Sequence, residues 1–105
     1  MNDVDDLREE LPNLQRAVAD FVARHGIEAP VQARLLDLTS EVGELAKEVI
    51  EATNYGRERL EPLPDSWGDV LFSLVCLANS TDVIVEAENV LRNAESCKFN
   101  AEGTQ

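Results

Sequence analysis

The feature that most constrains the fold of this chain is the helical spacing of its apolar residues. Apolar side chains recur every three or four residues along most of the sequence, and no alternation typical of a β-strand persists. Aromatic residues make up only 5% of the chain, so the core should consist of Leu, Val and Ala, which suit helices. The pattern predicts an all-α protein.

Turn residues divide the pattern into four predicted helices. Pro12 suits a first helical turn and Gly26 a C-terminal stop, so the first helix should span residues 12–25. The second should run from Pro30 to about Thr53, the third from Asp65 or Ser66 to about residue 80, and the fourth from the turn at 80–82 to about residue 99. A chain of 105 residues holds one domain. We expect an acidic lead-in at 1–11, a helical domain at 12–99 and a polar tail at 100–105.

The charge balance limits the classes of partner. Acidic residues number 21 and basic residues 9, for a net charge of -12. Such a chain repels nucleic-acid polymers and anionic membranes and attracts divalent cations. The longest apolar run, residues 70–78, is far shorter than the ~20 residues that span a bilayer. We therefore expect neither a nucleic-acid nor a membrane partner.

The N-terminus and the cysteines indicate a cytoplasmic protein. The sequence begins MNDVDDLREE, which is acidic and lacks the basic and apolar regions of a signal peptide. Cys76 and Cys97 show no CxxC spacing, and Cys76 lies inside an apolar run. Two free thiols in a reducing compartment fit this arrangement better than a disulfide.

The second helix carries a stripe of carboxylates. Asp37, Glu41, Glu44 and Glu48 are spaced 4, 3 and 4 residues apart and share one helix face. Like charges at these spacings destabilise a helix, and a bound cation would reverse that effect. A solvated acidic face is the alternative interpretation. The predicted core stripe lies one residue further on and consists of Leu35, Leu38, Val42, Leu45 and Val49.

The third helix adds carboxylates at its beginning. Asp69 directly precedes the apolar run Val70-Leu71-Phe72, and Asp65 lies one turn earlier on the same face. A carboxylate that enters an apolar bundle needs a partner, and a metal ion shared with the second helix is one candidate. Oxygen ligands favour Mg²⁺ or Mn²⁺. Asp69 can alternatively serve as an acidic residue in the first turn of the helix.

Two segments together resemble a known family. SEVGELAKE followed by SWGDVLFSLVCLAN is similar to the signature of MazG-like nucleotide pyrophosphohydrolases, in which E-x-x-E on one helix is answered by E-x-x-D on the next. The resemblance covers residues 35–99. It implies a four-helix bundle that completes its core as a homodimer or homotetramer. It also implies Mg²⁺-dependent cleavage of nucleoside triphosphates to monophosphates and pyrophosphate in nucleotide-pool house-cleaning.

By position, the resemblance assigns three metal ligands. Glu41 and Glu44 match the first pair of carboxylates, and Asp69 matches the final one. Ser66 stands where the family has its third carboxylate, and we expect Asp65 to substitute for it in part.

The resemblance also suggests how substrate would be handled. Glu44 or Glu48 would act as the general base, and Glu48 can also complete the metal site. Lys98, which with Phe99 matches a Lys-Phe pair of the family, would contact the substrate phosphates, or alternatively stabilise the C-terminal end of its helix. Arg57, in the loop after the second helix, is a further candidate for phosphate contact, with an ordinary solvated loop arginine as the alternative.

Two further hypotheses stay open. Because Ser66 replaces a carboxylate, the chain can be a non-catalytic module that binds metal or nucleotide. It can also be a purely structural oligomerisation domain. Trp67, Leu71, Leu74 and Ala78 form one helical stripe, which indicates a core or subunit contact for Trp67.

Overall fold

The chain is all-α, as the sequence predicts. The computed structural model describes residues 3–54 and 64–92, and these ranges contain no β-strand. Helix α1 spans Asp3–His25, α2 spans Val31–Asn54, and α3 spans Pro64–Ser80. Residues 87–92 are helical again. None of the helices in these ranges has the length and hydrophobicity that a membrane-spanning helix needs.

Helix α1 begins nine residues earlier than predicted. Residues 3–11, expected to form a lead-in, are its first turns, and Pro12 lies inside the helix. Three aspartates in the first turn complement the positive end of the helix dipole. Arg8 adds tertiary support, because its guanidinium contacts Asp5 at 3.0 Å and Glu88 at 2.6 Å. Pro12 donates no backbone hydrogen bond inside the helix.

Helices α1 and α3 end in the same backbone motif. Gly26 has a φ of 61°, and the N–H groups of Gly26 and Ile27 donate to the carbonyl oxygens of Ala23 and Val22. After α3 the same left-handed position is taken by Asp82, with a φ of 58°. The N–H groups of Asp82 and Val83 donate to Asn79 and Ala78. Both ends are Schellman caps, and the predicted stop at Gly26 is confirmed.

Helix α3 is the central element of the described fold. It packs against α2 and, less extensively, against α1, whereas α1 and α2 do not pack against each other. Six of the described residues are buried, and half of these are polar. They are Gln15, Arg34, Ser73, Val75, Cys76 and Ala87. Thirteen large apolar side chains of the described ranges stay exposed, among them Leu36, Trp67 and Leu71.

Part of the predicted core is exposed. In the stripe on α2, Leu38, Leu45 and Val49 are half-buried, but Leu35 and Val42 are about half exposed. These last two members of the predicted core stripe are therefore not buried in the single chain. Residues 67, 71 and 74 on α3 are also exposed, with Trp67 at 56%. The apolar faces of α2 and α3 therefore extend beyond the contact between the two helices.

A buried side-chain amide joins α1 to the end of α3. The Gln15 amide nitrogen donates to the Asn79 side-chain oxygen and to the Val83 carbonyl, and its oxygen accepts from the Val85 N–H, all at 2.9 Å. The Asn79 amide donates in return to the Gln15 carbonyl at 3.0 Å. This network fixes the position of α1 and of the connection that follows α3.

Candidate functional site

The four carboxylates of the acidic stripe on α2 differ in their exposure to solvent. Glu41 and Glu48 are half-buried, whereas Asp37 and Glu44 are exposed. The two half-buried carboxylates are seven residues apart, which is about two helical turns, so they lie on the same face. That face turns towards α3.

Ser66 of α3 fixes one of these carboxylates. Its hydroxyl donates a part-buried hydrogen bond of 2.6 Å to an Oε1 oxygen of Glu48. Ser66 is the residue that stands where the family resemblance leads one to expect a carboxylate. Ser66 therefore contacts the acidic stripe of α2 by a hydrogen bond from its hydroxyl group.

The register between α2 and α3 is set at two points. Glu48 contacts Ser66 at one end, and Arg34 and Ser80 line the same cavity at the other. Fourteen residues separate the two points on each helix, so the helices run antiparallel in constant register. By the same spacing we infer that Glu41 of α2 lies near the level of Ser73 of α3, which is 7% exposed. The half-buried carboxylates thus lie on the side of α2 that packs against α3.

The predicted ligands on α3 lie at the edge of this contact. Asp65 and Asp69 are both exposed, as is Glu44 on α2. Within residues 3–54 and 64–92, none of Glu41, Glu44 and Asp69 forms an ion pair. The same residues contain no group of three or more His, Cys, Asp and Glu side chains that could hold a metal ion as placed. The predicted metal ligands therefore lie on two packed helices but do not form a cluster.

Two basic residues are predicted to contact the substrate phosphates. Arg57 and Lys98 lie outside the described residues.

A buried arginine escaped the sequence analysis. Arg34 is 7% exposed, and its Nη2 donates a short hydrogen bond to the carbonyl oxygen of Ile27. Burial raises the pKa of the nearby Cys76 thiol, the positive charge of Arg34 opposes that rise, and Asp37 adds to it. Cys76 is a free, buried thiol, as expected. An arginine in the first turn of a helix looks like a surface residue in sequence, and only its burial distinguishes it.

Comparisons with known proteins give one informative relative. Over 77 residues the chain is 42% identical to the protein named "Uncharacterized protein YpjD" of Bacillus subtilis (strain 168), and the match covers 70% of this chain and 67% of that protein. No protein-family model matches the chain. No solved structure matches it significantly. The extent and identity of the match show that the chain belongs to the same family as YpjD of Bacillus subtilis.

Proposed function

We propose that this protein is a divalent-cation-dependent enzyme that hydrolyses nucleoside triphosphates to monophosphates and pyrophosphate. The observation that carries the proposal is the pair of half-buried carboxylates, Glu41 and Glu48, on the face of α2 that turns towards α3. The MazG-like resemblance assigns a nucleotide-hydrolysing site to this same pair of helices. A role in nucleotide-pool house-cleaning is part of the proposal.

The charges of the site favour a cation. Removing a carboxylate from water costs free energy unless an opposite charge or hydrogen bonds compensate it. Glu41 has no ion pair in the described part of the chain, and the net charge of -12 raises the local concentration of cations. All candidate ligands offer carboxylate oxygens, which fits Mg²⁺ or Mn²⁺ and not a metal that prefers nitrogen or sulfur.

The ligands that we propose come from both helices. Glu41 and Glu44 of α2 and Asp69 of α3 would hold the ion, and Asp65 adds a carboxylate one turn before Asp69. Because the four side chains do not form a cluster as placed, their rotamers would have to change when the ion binds. A bound ion of this kind neutralises phosphate oxygens and lowers the pKa of a water molecule.

Glu48 is the better candidate for a proton acceptor. A general base must hold one orientation, and the Ser66 hydroxyl fixes one carboxylate oxygen of Glu48 at 2.6 Å. The other oxygen is left to accept a proton from water. Glu44 is exposed and serves better as a ligand, although it is the second candidate for the base. Lys98 and Arg57 are the proposed contacts to the phosphates.

Pyrophosphate release tests the proposal. Purified protein is incubated with a panel of ribo- and deoxyribonucleoside triphosphates, with Mg²⁺, with Mn²⁺ and with a chelator. We expect release only with the metals, and its loss in Glu41→Gln and Asp69→Asn. The matched controls are Glu9→Gln and Asp20→Asn, which change exposed acids on α1 and should keep full activity. Undiminished activity in both site variants would reject the site.

The hydrogen bond between Ser66 and Glu48 also favours a second function, a non-catalytic module that binds metal or nucleotide. A hydroxyl stands where a metal-binding carboxylate would be needed for turnover. Calorimetry would then detect binding of Mg²⁺-nucleotide without release of pyrophosphate. The variant Ser66→Glu separates the two functions, because it places a carboxylate beside Glu48. If pyrophosphate release appears only in this variant, the natural protein is the binding module.

We also propose that a second copy of the chain completes the four-helix bundle, giving a homodimer or homotetramer. The support is the half-exposed apolar surface of α2 and α3, which includes Leu35, Val42, Trp67, Leu71 and Leu74. Large exposed apolar surfaces are typical of protein interfaces. Light scattering after size exclusion should give a multiple of the 11.6 kDa chain mass.

A charge inside the proposed subunit interface should dissociate it. Leu71→Glu is expected to give a monomer, whereas Ile84→Glu should not, since Ile84 is 70% exposed and follows α3 outside this surface. A wild-type protein that is monomeric at all concentrations would refute the proposal.

A further inference from the structure

A cavity of about 250 Å³ lies where the ends of α1 and α3 meet the start of α2. A volume of this size holds several water molecules or one small organic molecule, and it is below the usual range of sites for drug-sized ligands. Apolar side chains form most of its wall, and among the described residues Arg34 is the one cation that lines it. The wall includes Ala19, Val22, Ala23 and Ala29.

The guanidinium of Arg34 lacks a counter-charge. The side chain is 7% exposed, and its recorded hydrogen bond joins Nη2 to the Ile27 carbonyl, while no carboxylate of the described residues lies within ion-pair distance. No fully buried side-chain nitrogen in the described ranges lacks a partner. The other N–H groups of Arg34 therefore keep access to open space, and the space that this side chain lines is the cavity. A buried charge of this kind is stabilised by an anion.

The acids around the cavity do not neutralise Arg34. Glu28 lines the cavity but is exposed to solvent. Asp37 lies three residues after Arg34 on α2, and its negative charge raises the pKa of the Cys76 thiol. Neither forms an ion pair with the guanidinium. The polar groups on α3 are already engaged, because Asn79 bonds to Gln15 and the Ser80 hydroxyl donates to the Cys76 carbonyl at 2.8 Å. Arg34 is thus the principal donor available to a ligand.

We propose that this cavity binds a small carboxylate with a short aliphatic tail. The planar guanidinium fork matches a carboxylate group in two parallel hydrogen bonds. The alanine and valine side chains of α1 give the tail an apolar wall. A free phosphate fits less well for two reasons. It has no apolar group to contact the alanine and valine side chains, and its larger negative charge would be repelled by Glu28 while Arg34 alone attracts it. The proposal does not depend on the nucleotide hydrolysis proposed above.

Butyrate is the probe for the first experiment. It is titrated into isotopically labelled protein, against sodium chloride at matched ionic strength, and followed by NMR of the alanine methyl groups and the arginine side chains. We expect saturable shifts at Ala23, Ala29 and Arg34 and a rise in Tm. Butyramide, which has nearly the same shape and no charge, should cause neither, and inorganic phosphate should bind more weakly than butyrate. Equal or tighter binding of phosphate would overturn the assigned ligand class.

Variants locate the binding. Arg34→Gln should weaken butyrate binding about tenfold or more, the usual effect of losing a charged hydrogen-bond partner. Ala23→Leu tests the same cavity in case the first variant fails to fold, since it keeps Arg34 and fills the apolar wall. It should abolish the shifts. Glu28→Gln should tighten binding by removing a repulsive charge, and the exposed Arg24→Gln is the matched control. Absence of saturable binding, or binding unchanged in both Arg34→Gln and Ala23→Leu, would overturn the proposal.

Discussion

On the α1 side of helix α3, polar groups that enter the contact are neutral and paired, whereas on the α2 side they are charged and largely unpaired. Gln15 and Asn79 exchange hydrogen bonds through their side-chain amides, and Gln15 also bonds to the backbone of the following connection. On the other side, Glu41 has no ion pair in the described chain, and Glu48 has a single hydroxyl donor in Ser66.

The difference separates stability from function. A paired neutral network stabilises and orients the helices at little electrostatic cost. Half-buried carboxylates without cations destabilise the folded chain, and proteins keep such groups where a ligand needs them. If this division is correct, substitutions on the α1 side should lower stability, and substitutions on the α2 side should remove function while leaving stability equal or higher.

The largest effect is expected for Gln15→Leu. Leucine fills a similar volume but leaves the Val83 carbonyl, the Val85 N–H and part of the Asn79 amide without partners in a buried position. Each unsatisfied group costs about 1–3 kcal/mol, and some will find water, so we expect a loss of about 2–4 kcal/mol in the free energy of unfolding. Denaturant unfolding at constant m value measures it.

The matched control for that variant is Gln32→Leu, an exposed glutamine on α2. A surface change of this kind should alter stability by less than about 0.5 kcal/mol. Equal losses in the two variants would mean that the Gln15 network is not what holds α1 in place. Metal-dependent pyrophosphate release should persist in Gln15→Leu at temperatures where the variant is folded.

The helices themselves were largely predictable from sequence. Apolar spacing and punctuation by Gly26, Pro30 and Ser80 located α2 and α3 to within one or two residues. The start of α1 was not predictable from sequence, because a proline such as Pro12 is typical of the first turn of a helix. The ion pair between Arg8 and Glu88 supports the earlier turns, and its two residues are 80 positions apart in sequence. A local pattern contains no information about such a distant partner.

The candidate site was predictable only in part. The spacing of Glu41, Glu44 and Glu48 shows that they share a helix, but it does not show which of them faces α3. That depends on how the two helices rotate against each other, which is set by packing. For the same reason the burial of Arg34 and the partner of Ser66 emerged only from the tertiary structure.

Substitutions in the two Schellman caps should give the next largest changes in the free energy of unfolding, and the two changes should have opposite signs. Gly26→Ala forces a Cβ into a left-handed conformation and should cost about 1 kcal/mol. Asp82→Gly removes that strain at the equivalent position and should stabilise by about 0.5–1 kcal/mol. Asp82 precedes Val83 and Val85, so the gain should disappear in the Gln15→Leu background if the cap acts by presenting these groups to Gln15. Melting of the single and double variants measures the coupling.

A smaller gain is expected for Glu41→Gln. The substitution removes like-charge pairs with Asp37 and Glu44 on α2, each worth a few tenths of a kcal/mol, and leaves a side chain of the same shape. Without divalent metal we therefore expect a small rise in Tm, which high salt should diminish by screening. If the proposed metal site is correct, the order should reverse with Mg²⁺, because the wild type would gain from metal binding and the variant would not. A lower Tm in both conditions would show that Glu41 is a structural residue.

The smallest effect concerns the exposed pair that joins α1 to residues 87–92. The hydrogen bond from Arg8 lowers the pKa of Glu88 below its ordinary value, and the charge of Arg8 acts in the same direction. A carboxyl group whose folded pKa is lowered contributes stability above its unfolded pKa of about 4.3 and loses it as pH falls through the folded value. The difference in Tm between wild type and Glu88→Gln should therefore be greatest near neutral pH and vanish in acid. High salt should reduce it, because the pair is exposed. A difference that persists unchanged at low pH would assign the effect to packing of the residue 88 side chain and not to its charge.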